Sequence, residues 1–291
     1  MELKHMASFV SSVPRDPLEG TVQRLYHYMP IHQNLSRHWI DVLVNAHLKL
    51  SRATDFNDVF DCSGVCVGRF SNEAMRKHLA KISNSLVVNL TDVQLEKLAK
   101  EYSDTFRKNF LEQAPFSFQE ITCFSVPTTE DSDILMWSHY ANKWQGVRLG
   151  FNMLFENHAQ LDYGNNTPYY LDMVRYNEER VSFDLSRIKD IDDLSEYWEW
   201  YRSIVANKAK AWQYENEWRL IVLEDKSEKI GALRFWRFDR RILKSVDIGP
   251  RVSASDKKEI LNIISTHYQG VEVREVVPDS RMFKINYKRI M

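Results

Sequence analysis

Cysteine, glycine and proline are all scarce in this chain: three, nine and eight among 291 residues. Cys62, Cys66 and Cys123 are an odd, sparse set. That argues against a disulfide scaffold and for a reducing, cytoplasmic setting. Cys62 and Cys66 form a close pair, but the second pair that a structural zinc site needs is missing, and the histidines lack ligand spacing. No metal is therefore expected. Few glycines and prolines, with no repeat and no low-complexity run, exclude a flexible hinge between domains. No apolar run approaches the roughly 20 residues that span a bilayer, so no membrane partner is expected. Met1 to Val13 lacks the apolar core of a signal peptide. Met1 to Ser8 reads as a cloning remnant, and residues 1–23 as an N-terminal arm. Neither sign of charge dominates. Lys+Arg is 39, Asp+Glu is 40 and the net charge is −1. Nothing global points to nucleic acid or an anionic surface. Both glycine-rich phosphate loops, Gly-x-Gly-x-x-Gly and Gly-x-x-x-x-Gly-Lys, are missing.

What is present is a set of words in which polar residues are wedged between large aromatics. They are Arg24-Leu-Tyr-His-Tyr28, Phe56-Asn-Asp-Val-Phe-Asp61, Met136-Trp-Ser-His-Tyr-Ala141 and Trp212-Gln-Tyr-Glu-Asn-Glu-Trp-Arg219. Such words make poor core, because each buried polar group costs a few kcal/mol unless paired. They suggest the walls of a cleft. Trp137, Trp212 and Trp218 are expected to be mostly buried.

The spacing predicts an α+β domain over 24–291 rather than a regular βαβ alternation. Strands are expected near 25–28, 47–51, 120–126, 146–151, 169–176, 215–223, 242–248, 271–276 and 282–287. Helices are expected near 35–46, 72–83, 91–113, 134–142, 194–210 and 253–268. Thr91 and Gln94 have capping-box spacing. The helical stretches at about 72–113 and 190–210 read as insertions. The sheets are expected to be mixed, mainly antiparallel and twisted.

Glu215, Glu217 and Arg219 would share one side of a strand, with the two carboxylates about 7 Å apart. The flanking Trp212, Tyr214 and Trp218 would desolvate them, and Lys208 and Lys210 could counter their charge. The plain alternative is an ion-pair ladder on a strand edge. His27, between Tyr26 and Tyr28, is a candidate ligand residue or a satisfied structural histidine. Asn57, Asp58 and Asp61 form either an Asx-turn or, with a distant glutamate, a magnesium site. Trp137 and Tyr140 share a helix face that core packing explains. Ser138 lacks the glycine-flanked elbow of a nucleophile. Lys226 to Lys244 mixes basic and aromatic residues, as a single-strand binder does. Asp225, Glu228 and Asp239 dilute it, which favours a solvated hairpin.

Further words extend the pattern: Cys123-Phe-Ser125, Gly146-Val-x-Leu-Gly-Phe151, Lys208-x-x-x-Trp212 and Ile248-Gly-Pro-Arg251. Together they resemble a bacterial family known as domain of unknown function 2971, over about 24–287. Val59 stands where that family usually has proline. The opening Leu25-Tyr-His-Tyr28 strand, followed by a helix and a short strand, also resembles the start of ADP-ribosyltransferase-like domains. That resemblance implies a split-sheet fold and NAD as substrate. It implies Glu217 and Glu215 as the catalytic pair, with Glu215 activating the acceptor. It places His27, Tyr28, Asn57, Ser125, Tyr140 and Arg219 around NAD. The acceptor would be a protein or a nucleic acid, and the role that of a toxin or antiphage effector. Rival readings are a silent nucleotide- or RNA-binding module, and a metal-dependent nuclease using Asp58, Asp61, Glu215 and Glu217. His27 and the Glu215–Glu217 strand are expected to meet in one pocket.

Overall fold

The computed structural model describes residues 22–31, 38–82, 90–112, 119–127, 130–154, 169–193, 200, 202–223 and 227–291. The expected remnant and most of the arm lie outside them, as do 35–37, 113 and most of 194–201. The helices are α1 (His38–Asn45), α2 (Asn72–Ile82), α3 (Asp92–Glu112), α4 (Glu130–Tyr140) and α5 (Ala254–His267). The strands are β1 (Val22–Pro30), β2 (His47–Leu50), β3 (Val65–Val67), β4 (Gln119–Ser125), β5 (Gly146–Leu154), β6 (Tyr169–Met173), β7 (Arg175–Asn177) and β8 (Ser182–Asp184). They continue with β9 (Asn207–Ala209), β10 (Glu217–Leu223), β11 (Glu228–Ile230), β12 (Leu233–Arg237), β13 (Leu243–Ile248), β14 (Glu272–Pro278) and β15 (Ile285–Arg289). No helix among the described residues is long and apolar enough to cross a membrane.

The chain divides into two compact units. The first gathers the described parts of 1–51, 120–174 and 211–291; the second gathers those of 52–119 and 175–210.

The first unit is built on an eight-stranded sheet in the order β15-β14-β13-β5-β1-β4-β10-β6. Its pairing is mainly antiparallel, with β13 and β14 parallel. One face is apolar. Leu25 and Met29 of β1, Val147, Leu149 and Phe151 of β5, Phe124 of β4, and Trp218, Leu220 and Val222 of β10 pack there. Residues of α1, α5 and β12 complete this core, including Trp39, Val42, Ile260, Ile264 and Trp236. Ser253 caps α5 by accepting from the Asp256 amide, as expected of a serine at that position. Because strand side chains alternate, the intervening residues of β1, β5, β10 and β13 must face the other side. There the chain places Tyr26, Tyr28, Arg148, Glu217, Arg219, Ser245 and Asp247. The sheet therefore has one greasy face and one polar, aromatic face.

The basic-aromatic stretch forms the β11–β12 hairpin, whose second strand pairs with β2. Phe235 and Trp236 are buried, so the plain structural reading accounts for these rings.

The second unit packs α2 and α3 with two small parallel pairs, β3–β8 and β7–β9. Phe70, Met75, Ala99, Leu185, Trp200 and Ile204 form its core. The capping box at the start of α3 is present: the Thr91 amide donates to Gln94 Oε1 at 2.9 Å. The helix expected over 194–210 is corrected at its end, where residues 207–209 are strand β9. Pairing with β7, Tyr176 opposite Lys208, overrides the local helical preference. The single strand expected over 169–176 is two strands that serve different units.

Candidate functional site

The polar sheet face carries a charge cluster held by its own cross-strand register. Tyr28 lies opposite Arg148, Arg148 opposite Asp247, and Asp247 opposite Arg274. Arg148 Nε donates to Asp247 Oδ2 at 2.8 Å, and Nη1 donates to Asp133 Oδ1 at 2.9 Å. Arg274 Nε reaches Asp247 Oδ1 at 2.6 Å. Asp133, on α4, also accepts from the hydroxyls of Tyr28 and Tyr287. The Arg148 guanidinium is stacked 4.4 Å from the ring centroids of both Tyr26 and Tyr287. Two guanidiniums and two carboxylates balance, which is how a buried charge set is tolerated. Burial pushes the Tyr28 and Tyr287 hydroxyls well above the usual phenol range, although Arg148 pulls the other way.

The second polar group lies at the start of β10. Glu215 is not on that strand. It ends a 3-10 turn, Lys210–Glu215, and Asn216 follows with φ 42°. Asparagine tolerates this left-handed conformation, and its side-chain amide donates to the Val126 carbonyl at 2.8 Å. The break resets the alternation, so the expected single strand face carrying both carboxylates is corrected. Glu217 instead pairs with Arg219: Nε donates to Oε1 at 2.7 Å and Nη2 to Oε2 at 3.2 Å. Glu215 accepts from the Tyr140 hydroxyl of α4. All three charged groups are deeply buried, Glu215 and Glu217 at 3% exposure and Arg219 at 0%. The lysines expected to counter them have other partners. Lys208 pairs with Asp61 at 3.5 Å and Lys210 with Glu178 at 2.9 Å.

Ser125 belongs with this group. It lies opposite Tyr26 across β1–β4. The Val126 amide donates to the Asn216 carbonyl at 3.1 Å, which sets the end of β4 beside the start of β10. Rings stand beside the Tyr140–Glu215 pair, those of Tyr140, Trp212 and Tyr214 half-buried and that of His139 exposed. His139 contacts Tyr140 and Tyr214, and Tyr214 contacts Trp212, with centroids 6.1–6.2 Å apart. Trp137 and Trp218 are buried as expected, whereas Trp212 keeps part of its surface.

Two expected ligand residues are not among these groups of the first unit's sheet face. His27 lies opposite Leu149 and between Leu25 and Met29, all three of which pack in the apolar core. Its Nδ1 donates to the Cys123 carbonyl at 2.9 Å, and its ring is 5.9 Å from Phe124. It therefore sits on the opposite sheet face from Glu217, and the expected meeting of the two is not found. The cause is parity: His27 falls on the odd positions of β1 and both tyrosines on the even ones. Asn57 is an exposed loop residue of the second unit. Beside it Asp58 accepts from the Phe60 amide at 2.9 Å, which is an Asx-turn. Among the described residues no group of three or more His, Cys, Asp or Glu is placed to hold a metal ion.

Sequence reasoning missed Asp133, Arg148, Asp247 and Arg274. For Arg148 and Asp247 the signal was weak but present: a charged residue flanked on both sides by apolar ones, Val147-Arg-Leu and Val246-Asp-Ile.

Fold and site thus define a mixed α+β protein with a buried, charge-balanced sheet face. Residues 136–220 match the family model described as a protein of unknown function, DUF2971. That span contains three of the aromatic and glycine words, from Met136, Gly146 and Lys208. Neither a curated protein nor a solved structure matches the chain.

Proposed function

We propose that this protein is an NAD-using enzyme, an ADP-ribosyltransferase or NAD glycohydrolase, working at the Glu215–Glu217 end of the polar sheet face. A bacterial toxin or antiphage effector is the role that goes with such chemistry. One observation carries the reading. Of the residues of the first unit that the sequence marked, all but His27 gather on or beside this face: Tyr28, Ser125, Tyr140, Glu215, Glu217 and Arg219.

Cleaving the nicotinamide–ribose bond builds positive charge on the sugar. A fixed carboxylate stabilises that charge without reorganising. Glu217 takes this part, oriented by Arg219. Glu215, bonded to Tyr140 and standing among Trp212, Tyr214 and His139, takes the acceptor side. The rings offer a stacking surface for a flat base. Ser125, not His27, is the hydroxyl-bonding residue of this scheme. The acceptor is a protein or a nucleic acid.

The second reading is a nucleotide- or RNA-binding module without catalysis. Two observations favour it: Arg219 already engages the Glu217 carboxylate, and His27 is on the other face. Incubation with NAD, following free nicotinamide and acceptor labelling, separates the two. Turnover by wild type that falls roughly 10²–10³-fold in Glu217→Gln is expected. Because this substitution leaves Arg219 facing an amide in place of a carboxylate, unfolding must be measured in parallel. Glu215→Gln and Tyr140→Phe serve as second variants, expected to change acceptor labelling more than nicotinamide release. A wild type that consumes no NAD with any acceptor leaves the binding module as the reading.

A further inference from the structure

We propose that the row Ser125, Tyr26, Gly150 and Ser245 is the floor of a groove for the diphosphate-bearing body of a nucleotide, occupied in the free protein by the ring of Tyr26. The proposal rests on the NAD reading above for the ligand's identity, and on the following geometry for its place.

The four residues form one line across β4, β1, β5 and β13. Tyr26 is paired with Ser125 on one side and Gly150 on the other, and Gly150 is paired with Ser245. Ser125 is 1% exposed and Ser245 0%. Neither hydroxyl has a hydrogen-bond partner among the described residues. A buried hydroxyl left unsatisfied is destabilising, and most buried polar atoms avoid it. Two on one row call for a reason. Alanine would fit both positions and remove the penalty, so serine there points to something that the hydroxyls bind.

Gly150 gives the groove its depth. A Cβ there would collide with the Ser245 hydroxyl, lie 3.1 Å from Tyr26 Cε1 and 3.4 Å from Arg24 Cδ. The Tyr26 ring thus rests where a side chain at 150 would stand, directly beside the Ser245 hydroxyl. Tyr26 is only partly buried, and it covers a floor that is otherwise polar. Its departure need not strip Arg148 of aromatic cover, because Tyr287 stacks on the guanidinium at the same 4.4 Å distance. Arg24, whose Nε donates to Asn152 Oδ1 at 2.6 Å, brings a cation to the edge of the floor. Three inter-strand steps separate Ser125 from Ser245, about 14 Å. A ligand that uses both hydroxyls must be long, hydroxylated and anionic. ADP-ribose has that length and that chemistry, whereas a lone phosphate spans one end of the row.

The test is calorimetric titration of the full chain with ADP-ribose, with inorganic pyrophosphate as a short probe, alongside thermal unfolding without ligand. Ser245→Ala is expected to unfold at the same temperature as wild type or higher, and to weaken ADP-ribose binding about tenfold. Tyr26→Ala is expected to tighten it about fivefold, because the competing ring is gone. Unchanged ADP-ribose affinity in Ser245→Ala overturns the groove. So does weaker binding in Tyr26→Ala, or a wild type that binds no ADP-ribose. The two proposals fail separately. ADP-ribose binding that depends on Ser245, without NAD cleavage, sinks the transferase and leaves the groove. NAD cleavage with ADP-ribose binding indifferent to Ser245 does the reverse.

Discussion

Asp133→Ala removes a carboxylate that ties α4 to the sheet. In the wild type it accepts from Tyr28, Tyr287 and Arg148 at once. Without it Arg148 is left with Asp247, which already serves Arg274. The buried Arg148 would then share Asp247 with the half-buried Arg274, whose other carboxylate, Glu272, lies 3.9 Å away and is more exposed, and the buried part of the cluster would carry a net positive charge. Breaking a buried pair by removing one partner costs about 3–5 kcal/mol. The two tyrosine hydroxyls also lose their acceptor, so the upper end of that range is expected. For a unit of roughly 150–250 residues, each kcal/mol lowers Tm by about 2–4 °C. A drop of about 10 °C or more follows from those two figures. Tyr28→Phe and Tyr287→Phe each remove the bond donated to Asp133 and one that the hydroxyl accepts, from Arg148 Nη1 at 3.3 Å and from Trp137 Nε1 at 3.2 Å, but leave the charges balanced, so about 1–3 kcal/mol apiece is expected. Urea unfolding at pH 7, analysed with a common slope, measures all three. Asp133→Ala within about 1 kcal/mol of wild type would refute the claim that charge balance holds α4 in place.

Alkali should unfold the protein through its buried phenols. Tyr268 is pushed up to about 12 by burial, and Tyr28 and Tyr287 lie above the usual phenol value as well. A raised folded-state pKa means that stability is full below about pH 10, the unfolded value, and is lost as pH climbs through the folded one. Tyr268→Phe should therefore lose stability less steeply above about pH 10, read from urea midpoints and phenolate absorbance. Lys143 is exposed and held at φ 54°. Lys143→Gly should raise stability by about 0.5–1 kcal/mol, and a loss would contradict the strain argument. At Gly146 a Cβ would strike the Met29 carbonyl and lie 2.9 Å from the Ala141 backbone. Gly146→Ala should therefore fail to give soluble folded protein or unfold at markedly lower temperature. A thiol reagent should modify Cys123 in the native state and reach Cys62 and Cys66 only after denaturant, since those two are buried.

Much of the architecture was legible because it rests on period. β5 alternates cleanly, β10 does so over its first four residues, and α3 announces itself with Thr91, Gln94 and an apolar stripe. The short strands β3, β7, β8 and β9 were not legible, since three residues cannot display an alternation and their partners are distant in sequence. The site was legible by residue type and misread in direction. Glu215 and Glu217 differ by two positions, and nothing short of recognising Asn216 as a turn residue reveals that a turn intervenes. His27 shows the same limit. Chemistry nominated it, and strand parity, set by Leu25 and Met29, sends it to the core. The charge cluster escaped because Arg148 and Asp247 find their partners on neighbouring strands and on α4, all distant in sequence.

The strand order has a consequence for how this chain can be cut and for how it emerges during synthesis. Between β5 and β10 the sheet places β1 and β4, and neither comes from the segment 136–220 that carries the family match. A fragment limited to that segment would hold β5 and only the first four residues of β10, with a two-strand gap between them, and so could not close its own hydrogen-bond ladder. The same order makes β1 a strand that is synthesised early and zipped late. It must wait for β4 and β5, roughly a hundred residues behind it, and so for several seconds at ribosomal speeds of about 5–20 residues per second. Pairings of such long sequence separation fold slowly.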